Sequence, residues 1–347
     1  MLSSLAGIRK TRGISAADLA TLVGVTRQAI YAIEAGTYVP NTTVALRLAR
    51  ALETKVEHLF ALEDEPQSVV LRDFVPLDDL APASPGEPIQ ICRVGRRNIG
   101  VTPTVFPAYL PIADGIVSEP GKASLVAEPD NENRLLLAGC DPALSLLAAQ
   151  ATEAHVEVVL ANGNSSRALN WLREGRIDIA GTHLDEKLAG ALSVVTFAVW
   201  EEGFVVARGN PHGIRKVEDL ANPAVHFINR DKGSGSRRLF ESLLAQAGMK
   251  SSGVRGSETS VTGHLAAAWA VSTGAADCCL AAGSAARRFG LDFIPIATER
   301  FDLVLHKRDL KRKAVQGLFE ILNRSRFRRQ LEMLAGYDVS HAGNVVL

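Results

Sequence analysis

Long apolar runs are missing from this 347-residue chain. None approaches about 18 uninterrupted apolar residues, so no membrane span is expected. The opening residues, MLSSLAGIRKTRG, lack the apolar core of a signal peptide, which predicts a cytoplasmic protein. Cysteine is scarce. Cys92, Cys140, Cys278 and Cys279 form no CxxC pair and have no His partner at metal-ligand spacing. No metal site is therefore expected, and buried free thiols are. An excess of either charge is also absent. The 38 Lys and Arg balance 38 Asp and Glu, so any surface suited to nucleic acid must be local. Aromatics are few, and the composition is that of an ordinary soluble globular protein.

What is present divides by pattern, and the length alone suggests two or three domains. Residues 1–62 read as a run of short helices. Residues 66–133 are rich in Pro, Gly, Val and Ile, with strand-like pieces SVVLRDFV, PIQICRVG and NIGVTPTVF, and are expected to form a small β-rich connecting module. From Arg134 onward short apolar strands alternate with helices: LLLAGC, HVEVVLA, IDIAGTHL, FVVARG and VHFINR. That alternation predicts α/β layers on a largely parallel sheet. No fixed-period repeat or low-complexity tract interrupts it.

The segment ISAADLATLVGVTRQAIYAIEAG has helix-turn-helix arithmetic. Ser15 followed by Asp18 reads as a capping box. Gly24 stops the first helix, and Thr26 offers its hydroxyl as the cap of a second. Ile30 and Ile33 share that helix's inner face, and Gly36 ends it. Val44, Leu48 and Leu52 make a further amphipathic helix, and Val56, Leu59 and Phe60 a last short one. Five helices are expected. The segment resembles the Cro/lambda-repressor type of helix-turn-helix, often called XRE, through Arg9, Ser15, Leu19, Ala20, Gly24, Val25, Ile30, Ile33, Glu34, Gly36 and Pro40. The resemblance implies that Thr26, Arg27, Gln28 and Tyr31 face the major groove of a double-stranded operator, and that Arg9 pairs with Glu34. The chemistry agrees: Arg can hold guanine, and Gln adenine, through two hydrogen bonds. Residues 1–62 carry seven Lys or Arg against four Asp or Glu, a net of +3. So mild a phosphate attraction suggests a homodimer with two heads on a two-fold operator.

Four loops in the second half set small polar residues where helices should begin. They are Gly139–Pro142, with Asp141 as the expected cap; Asn162–Ser166; Gly233–Ser236; and Glu258–Thr262. Helix N-termini present free N–H groups and partial positive charge, so several aimed at one cleft could seat an anion. Ligands of open α/β sheets bind at the carboxyl ends of strands, where all four loops should lie.

The run from about 134 to 309 resembles the periplasmic-binding-protein fold, and within it the cytosolic molybdate-binding-like domains fused to helix-turn-helix heads. The carrying motifs are AGCDPALSLLA, NSSRALNWLREGRIDIAGTHL, GNPHGIRKVEDL, FINRDKGSGSRRLFE and FGLDFIPIATERFDLVL. The resemblance implies two α/β lobes within 134–347, the second spanning about 204–285. It also implies ligand contacts at Asp141, Ser165, Ser166, Ser234, Gly235, Ser236 and Thr259. The expected protein is multidomain: a five-helix DNA reader, a β-rich module and a two-lobed sensor. Its expected effector is molybdate or tungstate, the alternative being an organic metabolite such as a molybdenum-cofactor precursor. No resident cofactor and no catalysis are expected. Cys140, Asp141, Asp178 and His183 form no recognisable nucleophile–base motif, and the enzyme reading on this fold is the weakest of the three.

Overall fold

The computed structural model describes residues 2–61, 70–79, 81–103, 110–183, 191–333 and 337–346. They form two compact units, Met1–Val69 and Val70–Leu347.

The first unit has five helices: α1 (Leu5–Thr11), α2 (Ala16–Val23), α3 (Arg27–Glu34), α4 (Thr42–Ala51) and α5 (Val56–Leu59). Local chemistry accounts for their ends. Ser15, Thr26 and Asn41 each accept a backbone N–H three residues on, and so cap α2, α3 and α4. Gly24 closes α2 with φ at 78°, a left-handed conformation that a side chain would strain. Leu5, Leu19, Val23, Ile30, Ile33, Leu48 and Leu59 form the shared core.

The second unit begins with a six-stranded sheet, in the order Val70–Asp73, Lys122–Leu125, Gly115–Glu119, Pro88–Val94, Arg97–Val101, Val75–Pro76. Residues 66–69 of the expected module lie outside the described residues, as does its strand piece at 104–106. The sheet does not stand apart from the sensor. Leu77, Cys92, Val94, Ile99 and Val101 pack into one core with Leu136, Ala138, Val159 and Leu169. Arg134 fastens the join: its guanidinium donates to Asp114, to Glu157 and to the Ile91 carbonyl.

The remainder is one eight-stranded sheet in the order Glu157–Asn162, Arg134–Gly139, Ile179–Thr182, Asp292–His306, Leu192–Val206, Cys278–Ala282, Phe227–Arg230, Ser260–Val261. The expected largely parallel sheet is in fact mixed. Pairing is parallel near each end of this order, but two 15-residue strands at its middle, Leu192–Val206 and Asp292–His306, run antiparallel to each other and to their outer neighbours. These two strands cross from one lobe to the other. Sequence alternation cannot show this, because a crossing strand is apolar whichever way it runs. The first lobe packs its core around Leu135, Leu147, Phe197, Phe301 and Leu318, and the second around Phe204, Phe227, Phe240 and Leu280. Register shifts at Thr196/Ala198 and Glu202/Gly203 interrupt the crossing pair, and at the second a Cβ on Gly203 would lie 2.0 Å from the Ile294 carbonyl oxygen. All four cysteines are free and buried.

Candidate functional site

In the head, α3 carries the candidate DNA surface. Thr26, Arg27, Gln28 and Tyr31 are all exposed on it, while Ile30 and Ile33 hold its other face in the core. Arg27 and Tyr31, one turn apart, are joined: Arg27 Nη2 donates to Tyr31 Oη at 2.9 Å, and the guanidinium lies 5.3 Å from the ring centroid. Arg9 and Glu34 pair as expected, with Nε–Oε1 at 2.6 Å and Nη2–Oε2 at 3.1 Å. Arg9 Nη1 also donates to the Ile14 carbonyl. This double fork ties the C-terminal end of α3 to α1.

In the sensor, strand ends from both lobes converge on the crossing strands. Cys140 and Asp141 follow Arg134–Gly139, and His183 follows Ile179–Thr182. From the other lobe come Arg230, at the end of Phe227–Arg230; Ser236, in the first turn of Gly235–Gln246; and His264, which opens His264–Ser272. Trp200, Glu202 and Glu299 project from the crossing strands. Cys140, Asp141, His183, Trp200, Glu202, Arg230, Ser236 and His264 are all buried.

The residues expected to touch ligand divide into groups. Asp141 does not cap the following helix, which starts at Leu144. Its Oδ1 instead accepts the Ala143 N–H at 2.7 Å and the Tyr337 hydroxyl at 2.7 Å. Burial pushes its carboxyl up to about 6, against both hydrogen bonds and the nearby His183. Ser165 Oγ is occupied within its own lobe, accepting the His183 N–H at 3.2 Å. Ser166 Oγ reaches the opposite lobe and donates to the Gly233 carbonyl at 3.1 Å. Asn164 crosses too, donating to Asp231 and to the Lys232 carbonyl. Ser234 caps Gly235–Gln246 through the Arg237 N–H, and Ser236 accepts from Arg230 Nη1 at 3.3 Å. Thr259 is exposed, and its carbonyl accepts the Asn229 N–H just before the outermost strand. His264, five residues on, is the side chain that reaches inward.

Gly235 records how tightly the lobes meet. A Cβ there would fall 1.8 Å from His183 Cε1 of the other lobe. That ring has Trp200, His264 and Phe301 as neighbours, at centroid distances of 6.1, 6.4 and 6.3 Å, so moving it would disturb a packed cluster. At the mouth of the cleft a cavity of about 390 Å³ is lined by Asn164, Ser166, Arg167, Asp231, Lys232 and Thr262.

Among the described residues, one group offers metal-ligand chemistry: Cys140, His183 and His264 have donor atoms within 4.8 Å of one another. Sequence spacing missed it because the three residues lie on three loops from two lobes. Cys140 Sγ is 3.9 Å from His183 Nε2 and 3.8 Å from His264 Nε2. The tautomer argues against an ion. His264 Nδ1 accepts the Ala282 N–H at 3.1 Å, so its proton sits on Nε2, the atom a metal would need. Burial, together with Arg230 and His183, pulls His264 well below its ordinary pKa and keeps it neutral. Burial pulls on His183 as well. There Cys140, Glu299 and Glu202 outweigh it and push the imidazole up to about 10. One histidine is therefore cationic and the other a neutral donor, both turned toward one sulfur. Asp178, flagged by its nearness to His183 in sequence, is structural: it accepts the Leu136 N–H and pairs with Arg312.

A two-lobed α/β fold with a polar cleft between crossing strands, preceded by a helix-turn-helix unit, defines a ligand-binding regulator. The comparisons agree. Residues 146–323 match the PBP superfamily domain and residues 5–59 a helix-turn-helix family, and the chain belongs to the PBP superfamily. The uncharacterized protein YvgK of Bacillus subtilis (strain 168) is 31% identical over 236 residues, 64% of this chain and 76% of that protein. An uncharacterized HTH-type transcriptional regulator of the same organism, YgzD, is 42% identical over 65 residues, 19% of this chain and 98% of that one. Among solved structures, the effector binding domain of QuiR in complex with shikimate aligns with a TM-score of 0.43 at 16% identity, over 54% of this chain and 93% of that chain. By its two family matches the chain joins a helix-turn-helix head to a ligand-binding domain of the PBP superfamily. No helix among the described residues is long and apolar enough to cross a membrane.

Proposed function

We propose that this protein is a cytoplasmic transcription regulator, acting as a homodimer, whose grip on operator DNA is set by closure of the sensor lobes on a small effector. The observation that carries the reading is the convergence of buried polar side chains from both lobes on one cleft floor. Isolating such groups from water is costly, and a ligand that pairs them in the closed state shifts the lobes toward closure. The helix N-termini favour an anionic effector, a class that includes molybdate and tungstate. The buried Asp141 and Glu202 favour the second reading, an organic metabolite, a class that includes molybdenum-cofactor precursors. The cleft is read as a binding site and not a catalytic one.

The test is selection of duplexes from a random DNA pool by the full chain, with and without molybdate, tungstate and a metabolite extract. Enrichment of a two-fold symmetric sequence, altered by one of the additions, is the expected result. A chain that enriches no duplex under any of these conditions is not a regulator of this kind.

A further inference from the structure

The floor of the cleft holds charges of both signs whose hydrogen-bonding atoms are left partly unused. Glu202 is 0% exposed and Arg230 1%. Neither oxygen of the Glu202 carboxylate has a hydrogen-bond partner, nor do Nε and Nη2 of Arg230. Asp141 Oδ2 and the Trp200 indole N–H are buried and unpartnered as well. Buried polar atoms in folded proteins are nearly always paired, so a cluster of orphans on facing lobes marks where a ligand completes the structure. The orphans fall into two sets. Arg230 and Trp200 can only donate, and the two carboxylates, when ionised, can only accept.

Resting on the effector-binding reading above, we propose that the ligand of this cleft brings its own O–H or N–H donors to Glu202 and Asp141 while presenting an anionic or acceptor end to Arg230 and Trp200. Fully deprotonated tetrahedral oxyanions do not meet this requirement. Molybdate, tungstate and sulfate carry only acceptor oxygens at neutral pH, and beside a buried carboxylate they face like charge and an acceptor with no proton between them. A protonated phosphate, a hydroxy acid or an amino acid does meet it, since each pairs an anionic end with at least one donor. Burial raises the Glu202 carboxyl above its ordinary value, and His183, Ser236 and Arg230 only partly draw it back. The neutral His264 adds a donor rather than a second full positive charge.

The experiment is a thermal-shift and calorimetric panel on the full chain and on Glu202→Gln. The probes are molybdate, tungstate and sulfate in one arm, phosphate in a second, and sets of hydroxy acids and amino acids in a third and fourth. The wild-type chain is expected to ignore the first arm and to bind a member of the others; which arm responds identifies the source of the donors. Glu202→Gln should weaken that binding by about 10- to 100-fold, the effect of losing a charge-assisted hydrogen bond. With no ligand added, its melting temperature should stay close to that of the wild type, because the amide keeps the carboxyl's shape and the carboxylate makes no hydrogen bond of its own. That baseline separates lost recognition from lost folding. Binding of any proton-free dianion by the wild type overturns the proposal while leaving the effector-binding reading intact, as does undiminished binding of the donor-bearing probe by Glu202→Gln. Silence in all four arms overturns both.

Discussion

The head and the cleft use polar side chains in opposite ways. In the head, Arg9 is the one buried charged side chain among the described residues, and it is doubly paired with Glu34. The groups that would meet DNA stay on the surface of a helix whose ends are already capped. In the sensor, Asp141, Glu202 and Arg230 are buried with polar atoms unpaired. Elsewhere in the same unit buried charges are paired, as Arg134 is with Asp114 and Asp178 with Arg312. Burial alone therefore does not distinguish the cleft; the gathering of several unmet groups in one place does. A head of this kind is preformed and reads whatever it is set against. A cleft of this kind stores an unfavourable arrangement that a ligand relieves, which gives it a free-energy difference with which to switch.

Substitutions in each region test the contrast. The largest effect is expected from Gly235→Ala. Its methyl group would enter the His183 ring, which sits in a packed cluster, and should cost the closed state about 3 kcal/mol, the upper end for overpacking. Small-angle scattering should show a more open sensor, with the fold of the head unaffected and the effector's influence on duplex binding lost. An unchanged profile would place the lobe contact elsewhere. Gln28→Ala should do the converse, weakening specific duplex binding by ~1–3 kcal/mol while sparing non-specific binding and the sensor. Fluorescence anisotropy with specific and scrambled duplexes reads both.

Third in size is a pH effect confined to the sensor. The imidazole of His183 is raised to about 10 in the folded chain. The stability it contributes is therefore complete below its unfolded value, ~6.5, and is lost as pH rises toward 10. The urea midpoint of the sensor should fall between pH 7 and 10, and His183→Asn should flatten that slope while leaving the head's transition alone. A slope that survives the substitution would assign it to other groups. The smallest expected change is Ser15→Ala. It removes the cap on α2, which accepts the Asp18 N–H at 3.1 Å, and should destabilise the head alone by about 1 kcal/mol, measured by its denaturation midpoint.

The two regions also differ in how much of them can be read without a structure. The caps Ser15 and Thr26, the stop at Gly24, the inward pair Ile30 and Ile33, and the Arg9–Glu34 bridge are all legible in the chain. They depend on neighbours a few residues apart or on a motif that retains its spacing. In the sensor the alternation of strands and helices is legible, and so is the fact that its loops gather at strand ends. The partners on the cleft floor are not. Thr259 looks like a helix-start residue but is exposed, while His264, Glu202 and Arg230 carry no local signature and are central.

The physical reason is range. Capping, turn geometry and amphipathic spacing act over one or two helical turns, so the amino-acid order alone determines the head's five helices, the exposed face of α3 and the strand–helix rhythm of the sensor. The crossing of two long strands, the seat of His183 against Gly235 and the meeting of Cys140 with His183 and His264 depend on which distant loops the sheet brings together. Only the tertiary structure decided these, because desolvation and the tautomer that goes with it arise once both lobes have closed over the same few atoms.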